Sequence, residues 1–279
     1  MKKTETILFP TDFSDVSLHA LYFAIDMAKR EKHKLILLHV VDAPYCFNME
    51  NESQEVDLIV HDLVYFSKKK LEGIATKIKK GNAISVTAVT YMGETTESII
   101  RAVNDFHVTK IIMGTKIEKD LFFKSSSFNI VKNTSVPLLT INMGNTINNF
   151  KNILFPFNER IMTLKKADDV IQLAQLYNSK VVLLGVSKDE TPEKKQEITD
   201  NMLYVKNLFE ENNITSEIHY ITNKNYSKAI LEYCNNNEID LITVANNLPT
   251  ALNETLKYSH AKTVINNAEI PVFTIPILN

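Results

Sequence analysis

The sequence predicts two tandem α/β domains, each a doubly wound five-stranded parallel sheet flanked by helices, and three observations carry that prediction. The first is length: 279 residues suit two domains of roughly 140 residues, each able to bury about two-thirds of its unfolded surface. The second is an internal repeat, which decides architecture more firmly than any local pattern. Ile7-Leu8-Phe9-Pro10 recurs as Ile153-Leu154-Phe155-Pro156, and the run Lys34 to Val40 recurs as Lys180 to Val186, both at an offset of 146. Lys110-Ile111-Ile112-Met113 answers Leu241-Ile242-Thr243-Val244 at 131, and Val136-Pro137-Leu138 answers Ile270-Pro271-Val272 at 134. The third is patterning. Short runs rich in Val, Ile and Leu alternate with longer amphipathic stretches, as in βα units around a parallel sheet. Unbroken apolar runs such as Leu35-Ile36-Leu37-Leu38 imply a sheet covered on both faces.

The elements follow in order. Strands are expected at 5–10, 34–41, 84–91, 109–114 and 137–142, with counterparts at 152–156, 180–186, 215–222, 239–245 and 271–276. Ser14 is placed to cap the first helix, whose Ala20, Leu21, Ala24, Ile25 and Ala28 share one face. A long second helix over 53–80 has an acidic start (Glu52, Glu55, Asp57) and a basic end (Lys77, Lys79, Lys80), both suited to the helix dipole, with Gly81 as its stop. The changing offset gives the first half 15 extra residues around 42–53 and three fewer just after Gly114. The insertion carries Pro44, Tyr45, Cys46, Phe47 and Met49, which serve either to pack against the long helix or as a lid or docking edge. The repeat divides the chain into domains at 1–144 and 150–279, joined by a short connector.

Composition excludes several classes. Lys and Arg number 31 against 33 Asp and Glu, so no overall field draws nucleic acid or an anionic membrane. No apolar run approaches the roughly 20 residues of a spanning helix, and Ile7-Leu8-Phe9 is too short for a signal-peptide core, so a cytoplasmic protein is expected. Cys46 and Cys234 form no CxxC pair and have no spaced histidine partners, so neither a disulfide nor a metal site is expected.

In a doubly wound sheet the ligand crevice lies at the carboxyl ends of the strands where their order reverses. Pro10-Thr11-Asp12-Phe13-Ser14 after the first strand, Leu38-His39-Val40-Val41 ending the second and Ile112-Met113-Gly114-Thr115 ending the fourth stand at such ends. Together with Ser135-Val136-Pro137-Leu138-Leu139-Thr140 after the closing helix, these segments resemble universal stress protein domains, and the resemblance covers nearly the whole chain twice. It implies an adenine nucleotide alpha hydrolase-like fold. Members of that family commonly pair through the last strand, so a tandem member resembles a fused dimer. The expectation here is a pseudo-twofold pair meeting near Leu138 to Asn142 and Val272 to Pro276.

Some members bind ATP through Gly, two residues, Gly, nine residues, Gly, then Ser or Thr, after the fourth strand. Glycines let backbone N–H groups reach phosphates, and a helix N-terminus adds a positive dipole end. Here the pattern has decayed. Gly114 matches the first glycine, but Ile117 and Lys124 stand at the second and third, with Ser125 at the hydroxyl. In the second half Ala245, Leu248 and Tyr258 replace all three glycines, and only Ser259 remains. The family's aspartate is kept as Asp12 and becomes Asn158 in the second half.

Two readings of the first crevice stand side by side. In one, Thr11, Asp12 and Val41 face an adenosine and Gly114, Thr115, Lys124, Ser125 and Ser126 face phosphates, so that ATP or AMP binds in the first domain only. In the other, Asp12 and Ser14 cap the first helix, Gly114 makes a turn, and the serines start the last helix. Neither GxSxG, HExxH nor a P-loop lysine motif is present, and the seven histidines are scattered, so no catalytic residue is nominated. The expected function is that of a non-enzymatic stress-response protein working through contacts with an unidentified protein partner, with homo-oligomers allowed. The alternative is an ATP-binding sensor or slow ATPase using the first crevice.

Overall fold

The structure, a computed structural model, describes residues 5–42, 54–116, 126–145, 150–158, 164–188, 191–247 and 259–277. The chain separates into two compact units, Met1–Thr115 and Lys116–Asn279. Each is described by itself.

In the first unit the strands are β1 (Thr6–Pro10), β2 (Lys34–Val41), β3 (Val86–Met92) and β4 (Lys110–Gly114), in the order β3-β2-β1-β4 and all parallel. Helix α1 (Asp15–Glu31) joins β1 to β2, α2 (Gln54–Gly81) joins β2 to β3, and α3 (Thr95–Asp105) joins β3 to β4. β1 is buried along its whole length and β2 from Leu35 to Leu38, the burial that their unbroken apolar runs require. The strand order reverses between β1 and β4, so the switch point lies beside Thr11 and Gly114.

The second unit contains α4 (Ser126–Asn133), β5 (Leu138–Ile141), β6 (Asn152–Phe157), α5 (Leu164–Tyr177), β7 (Lys180–Ser187), α6 (Pro192–Glu211), β8 (Ser216–Thr222), α7 (Tyr226–Asn236), β9 (Leu241–Asn247), α8 (Ser259–Asn267) and β10 (Val272–Ile277). Its strand order is β5-β10-β9-β6-β7-β8, parallel except for β5 against β10. Division by packing therefore places β5, which the repeat assigns to the first half, in the second unit. The β5–β10 register pairs Leu138 with Thr274, Leu139 with Phe273 and Thr140 with Val272. At the repeat offset of 134, Leu139 faces its own counterpart, so the pairing is self-complementary. Buried asparagines secure this region: Asn142 donates to the Ala268 carbonyl at 2.8 Å and Asn145 to the Glu269 carbonyl at 2.7 Å.

Helix ends use asparagine where glycine is the usual stop. The side-chain amides of Asn82, Asn133, Asn212, Asn237 and Asn267 each donate to the carbonyl four residues back, at 2.8 to 2.9 Å. Gly81 ends α2 as expected, but not in the left-handed conformation of a glycine cap; Asn82 satisfies the Ile78 carbonyl instead.

Candidate functional site

At the switch point of the first unit the polar groups are bonded to one another. The Ser14 hydroxyl accepts the Ser17 N–H at 3.3 Å and so caps α1. Asp12 Oδ1 accepts both the Ser14 N–H at 3.0 Å and its hydroxyl at 2.6 Å. Ser17 Oγ donates to the Ser14 carbonyl at 3.0 Å, which leaves Thr11 to donate to Ser17 Oγ at 2.9 Å, and Thr11 Oγ1 accepts the Phe13 N–H at 3.0 Å. Burial pushes the Asp12 carboxyl upward, but the bonds from the Ser14 hydroxyl and amide outweigh it and hold the group below its usual range. Asp12 is an exposed, ionised carboxylate.

Between Asp12 and Ser14 the backbone is strained. Phe13 has φ 62°, the left-handed region that a bulky side chain rarely enters. Its ring stacks on His39 with centroids 4.3 Å apart, and the Lys70 ammonium of α2 lies 4.4 Å from the ring centroid. His39 Nδ1 lies 2.8 Å from the Thr11 carbonyl; a carbonyl only accepts, so Nδ1 carries the proton. Phe13, His39 and Lys70 thus form a stacked column at the carboxyl ends of β1 and β2. Nothing in the residue types signals a left-handed Phe13, so the sequence reading missed this column.

Gly114 has a steric reason to be glycine. A Cβ there would meet the Val16 carbonyl oxygen at 2.7 Å and the Ser17 Cα and N at 2.9 Å, all backbone atoms of the first turn of α1. The missing side chain lets α1 approach β4. Thr115 follows at the strand end, half-buried, and Val41 ends β2 buried, its carbonyl accepting the Gly93 N–H at 3.1 Å. Thr11, Asp12, Gly114 and Thr115 therefore sit at the reversal, with Val41 one strand away. Lys124, Ser125, Ile117 and the 43–53 insertion lie outside the described residues, as does the side chain of Ser126, which opens α4.

The corresponding end of the second unit is apolar and filled. Phe157, where the first repeat has Thr11, is 1% exposed and packs 4.9 Å from Phe155, which also meets Phe209 of α6 at 5.8 Å. Gly185, where the first repeat has His39, is overlaid so closely that a Cβ would fall 2.8 Å from Met202 Cε and 2.9 Å from both Ile198 Cγ2 and Tyr220 Cδ2. Asn246, where the first repeat has Thr115, is buried and donates to the Val131 carbonyl at 2.9 Å. Leu248 and Tyr258 lie outside the described residues.

A second feature missed in the sequence is Lys166 of α5. It stands where the first repeat has Ala20, is 1% exposed, donates to the Thr243 carbonyl at 3.1 Å and sits 4.0 Å over the Phe155 ring. Desolvation holds its ammonium well below the usual lysine range. Aligning the two halves residue by residue flags it, as a cation in an alanine's place.

Other titratable groups have structural surroundings. Burial pushes the Cys234 thiol up to about 12, leaving it an unreactive apolar residue. His260 Nδ1 pairs with Ser227 Oγ at 2.9 Å, and His33 Nδ1 lies 2.9 Å from Glu31 Oε2. Among the described residues no group of three or more His, Cys, Asp and Glu side chains is placed to hold a metal, and no helix is long and apolar enough to cross a membrane. A polar cleft of about 470 Å³ lined by Gln175, Asn178, Ser179, Asn212 and Asn213 lies at the amino ends of β7 and β8, away from the switch point.

Known structures share this fold across the full chain. A universal stress protein from Archaeoglobus fulgidus DSM 4304 superposes with a TM-score of 0.78 at 18% identity, covering 98% of this chain and 99% of its own. A putative universal stress protein from Pseudomonas aeruginosa UCBPP-PA14 gives 0.65 at 13% identity, covering 98% and 93%. A functionally unknown protein from Pseudomonas aeruginosa PAO1 gives 0.66 at 13% identity, covering 98% and 92%. No curated protein matches the sequence. The class is thus a tandem α/β protein. The sequence model of the Universal stress protein family matches residues 3–142 and again 149–276, and the chain belongs to that family.

Proposed function

We propose that this universal stress protein is a cytoplasmic, non-enzymatic member that acts through protein contacts, with at most weak adenine-nucleotide binding in its first domain. One observation carries the reading: Thr11, Ser14 and Ser17 bond to one another and Ser14 donates twice to Asp12 Oδ1, so a nucleotide entering beside them would have to replace bonds already made. Two others support it. The close approach of α1 requires glycine at position 114 whether or not a phosphate binds, so its retention says nothing for a nucleotide. The equivalent end of the second unit is packed with Phe157, Ile198 and Met202.

The rival reading, an ATP-binding sensor or slow ATPase, is favoured by one observation: Asp12 is exposed and ionised at the switch point, a carboxylate able to accept from a ribose. Calorimetric titration of the purified protein with ATP and AMP separates the two. Weak or absent heat for both, unchanged in Asp12→Ala, is expected. Micromolar ATP affinity that Asp12→Ala abolishes overturns the non-binding reading.

A further inference from the structure

We infer that the protruding half of α2 is a self-association surface, on which a second copy of this chain docks its own α2 antiparallel. This goes beyond the proposed function and does not depend on whether a nucleotide binds. The helix is too long for the strand it serves. Its 28 residues span about 42 Å, whereas the seven residues of β3 span about 23 Å. Among its described side chains only those of the C-terminal part are buried, Leu71, Ala75 and Ile78, at the spacing of one helix face. From residue 59 to residue 70 no side chain is buried, and Val60, Val64 and Ser67 on the inward face are only half-buried.

Beside that inward face runs an apolar stripe open to solvent. Ile59 is 58% exposed, Leu63 52% and Phe66 64%, with Tyr65 on its flank at 49%. The spacing of four then three is the seam of a two-helix coiled coil, and contiguous exposed apolar patches mark interaction sites. Scattered single exposed residues would need no such account.

The charges choose the occupant and its direction. Asp62, next to Leu63, is acidic and Lys69, just beyond Phe66, is basic, and both are exposed. A parallel neighbour would set like beside like, whereas an antiparallel copy sets acid against base. With Leu63 packed on Phe66 of the second copy, the twofold axis falls between residues 64 and 65, and Asp62 faces Lys69 of the second copy at both ends. Within its own helix Asp62 lies 4.0 Å from His61, and Lys69 lies 3.9 Å from Glu72 and 5.7 Å from the Tyr65 ring centroid, long contacts between exposed groups that compete weakly. The overhang is short, about 18 Å over twelve residues, so the contact belongs with small, transient interfaces and a concentration-dependent equilibrium.

Sedimentation velocity on the full chain over about two decades of concentration reads the equilibrium directly. A monomer–dimer equilibrium is expected in the wild type. Phe66→Glu weakens dimerisation about 30-fold, the loss typical of a central aromatic anchor. Asp62→Lys weakens it about fivefold, by setting lysine against Lys69 of the second copy. The double variant Asp62→Lys with Lys69→Glu restores it, because the pair is reversed and kept. Circular dichroism checks that these exposed substitutions leave the fold intact. A wild type that stays monomeric, including one whose own 43–53 segment covers the stripe, overturns the proposal. So does a dimer indifferent to Phe66→Glu. A dimer lost in Phe66→Glu but not rescued by charge reversal overturns the antiparallel register.

Discussion

Replacing Lys166 with methionine removes a buried amine while keeping the length of the side chain, and the consequence can be worked out from its surroundings. The amine has one carbonyl acceptor and one aromatic face, and no charged group among the described residues contributes to its shift. A cation over a ring gains about 2 kcal/mol when desolvated, whereas stripping an ion of water costs several kcal/mol, so burial lowers the pKa of the amine despite the ring. The sign follows from linkage. The folded pKa lies below the unfolded value of about 10.4, so between the two the unfolded chain binds one proton more. Stability of the second unit therefore rises with pH in that window, by about 1.4 kcal/mol per pH unit. The destabilisation vanishes above the unfolded pKa and is complete below the folded one. Urea denaturation followed by circular dichroism, on wild type and Lys166→Met at several pH values between neutrality and about 10, isolates this contribution, because other groups cancel in the difference. Lys166→Met should be the more stable protein, with an advantage that shrinks by about 1.4 kcal/mol per unit as pH rises from the folded pKa to the unfolded one. A difference that is constant with pH would refute the reasoning, since it would mean that the folded amine titrates as an exposed one does.

Two further substitutions test glycines of opposite character. Gly114→Ala drives a Cβ into the backbone of α1 and should cost about 1–3 kcal/mol of first-unit stability with no nucleotide present; a loss below about 0.5 kcal/mol in urea melts would return that glycine to a ligand-facing role. Gly73 is exposed inside α2 with nothing within 4 Å of an added Cβ, so Gly73→Ala should stabilise the helix by about 0.5–1 kcal/mol, read as slower amide exchange along α2.

Much of the architecture is legible in the sequence because it rests on repetition and on burial. The offset of 146 aligns β1 with β6 and β2 with β7, and the run Leu35 to Leu38 announces a doubly covered strand. Ser14 is readable as a cap, since its hydroxyl precedes a helix face and the bond is local. The site is legible only in part. Residue spacing places Asp12 and Gly114 at strand ends but does not give their bonding partners, because the distance from Gly114 to Val16 depends on how closely α1 packs. The stacking of Phe13 on His39 depends on one backbone angle that no residue type declares. Lys166 escapes notice because a lysine near a helix start reads as solvated, and only the depth of α5 in the second unit buries it.

The asparagine stops on five helices carry a chemical liability. Deamidation turns a side-chain amide into a carboxylate, and asparagine is among the residues most prone to such damage on heating. At these positions the change would replace an N–H donor with a negative charge held against the carbonyl of Ile78, Asn129, Leu208, Tyr233 or Thr263. The same charge would also oppose the negative end of the helix dipole. Each stop would pass from attraction to repulsion without any change in the length of the chain, so slow chemical ageing should first appear as fraying at the ends of these helices while the sheet cores remain intact.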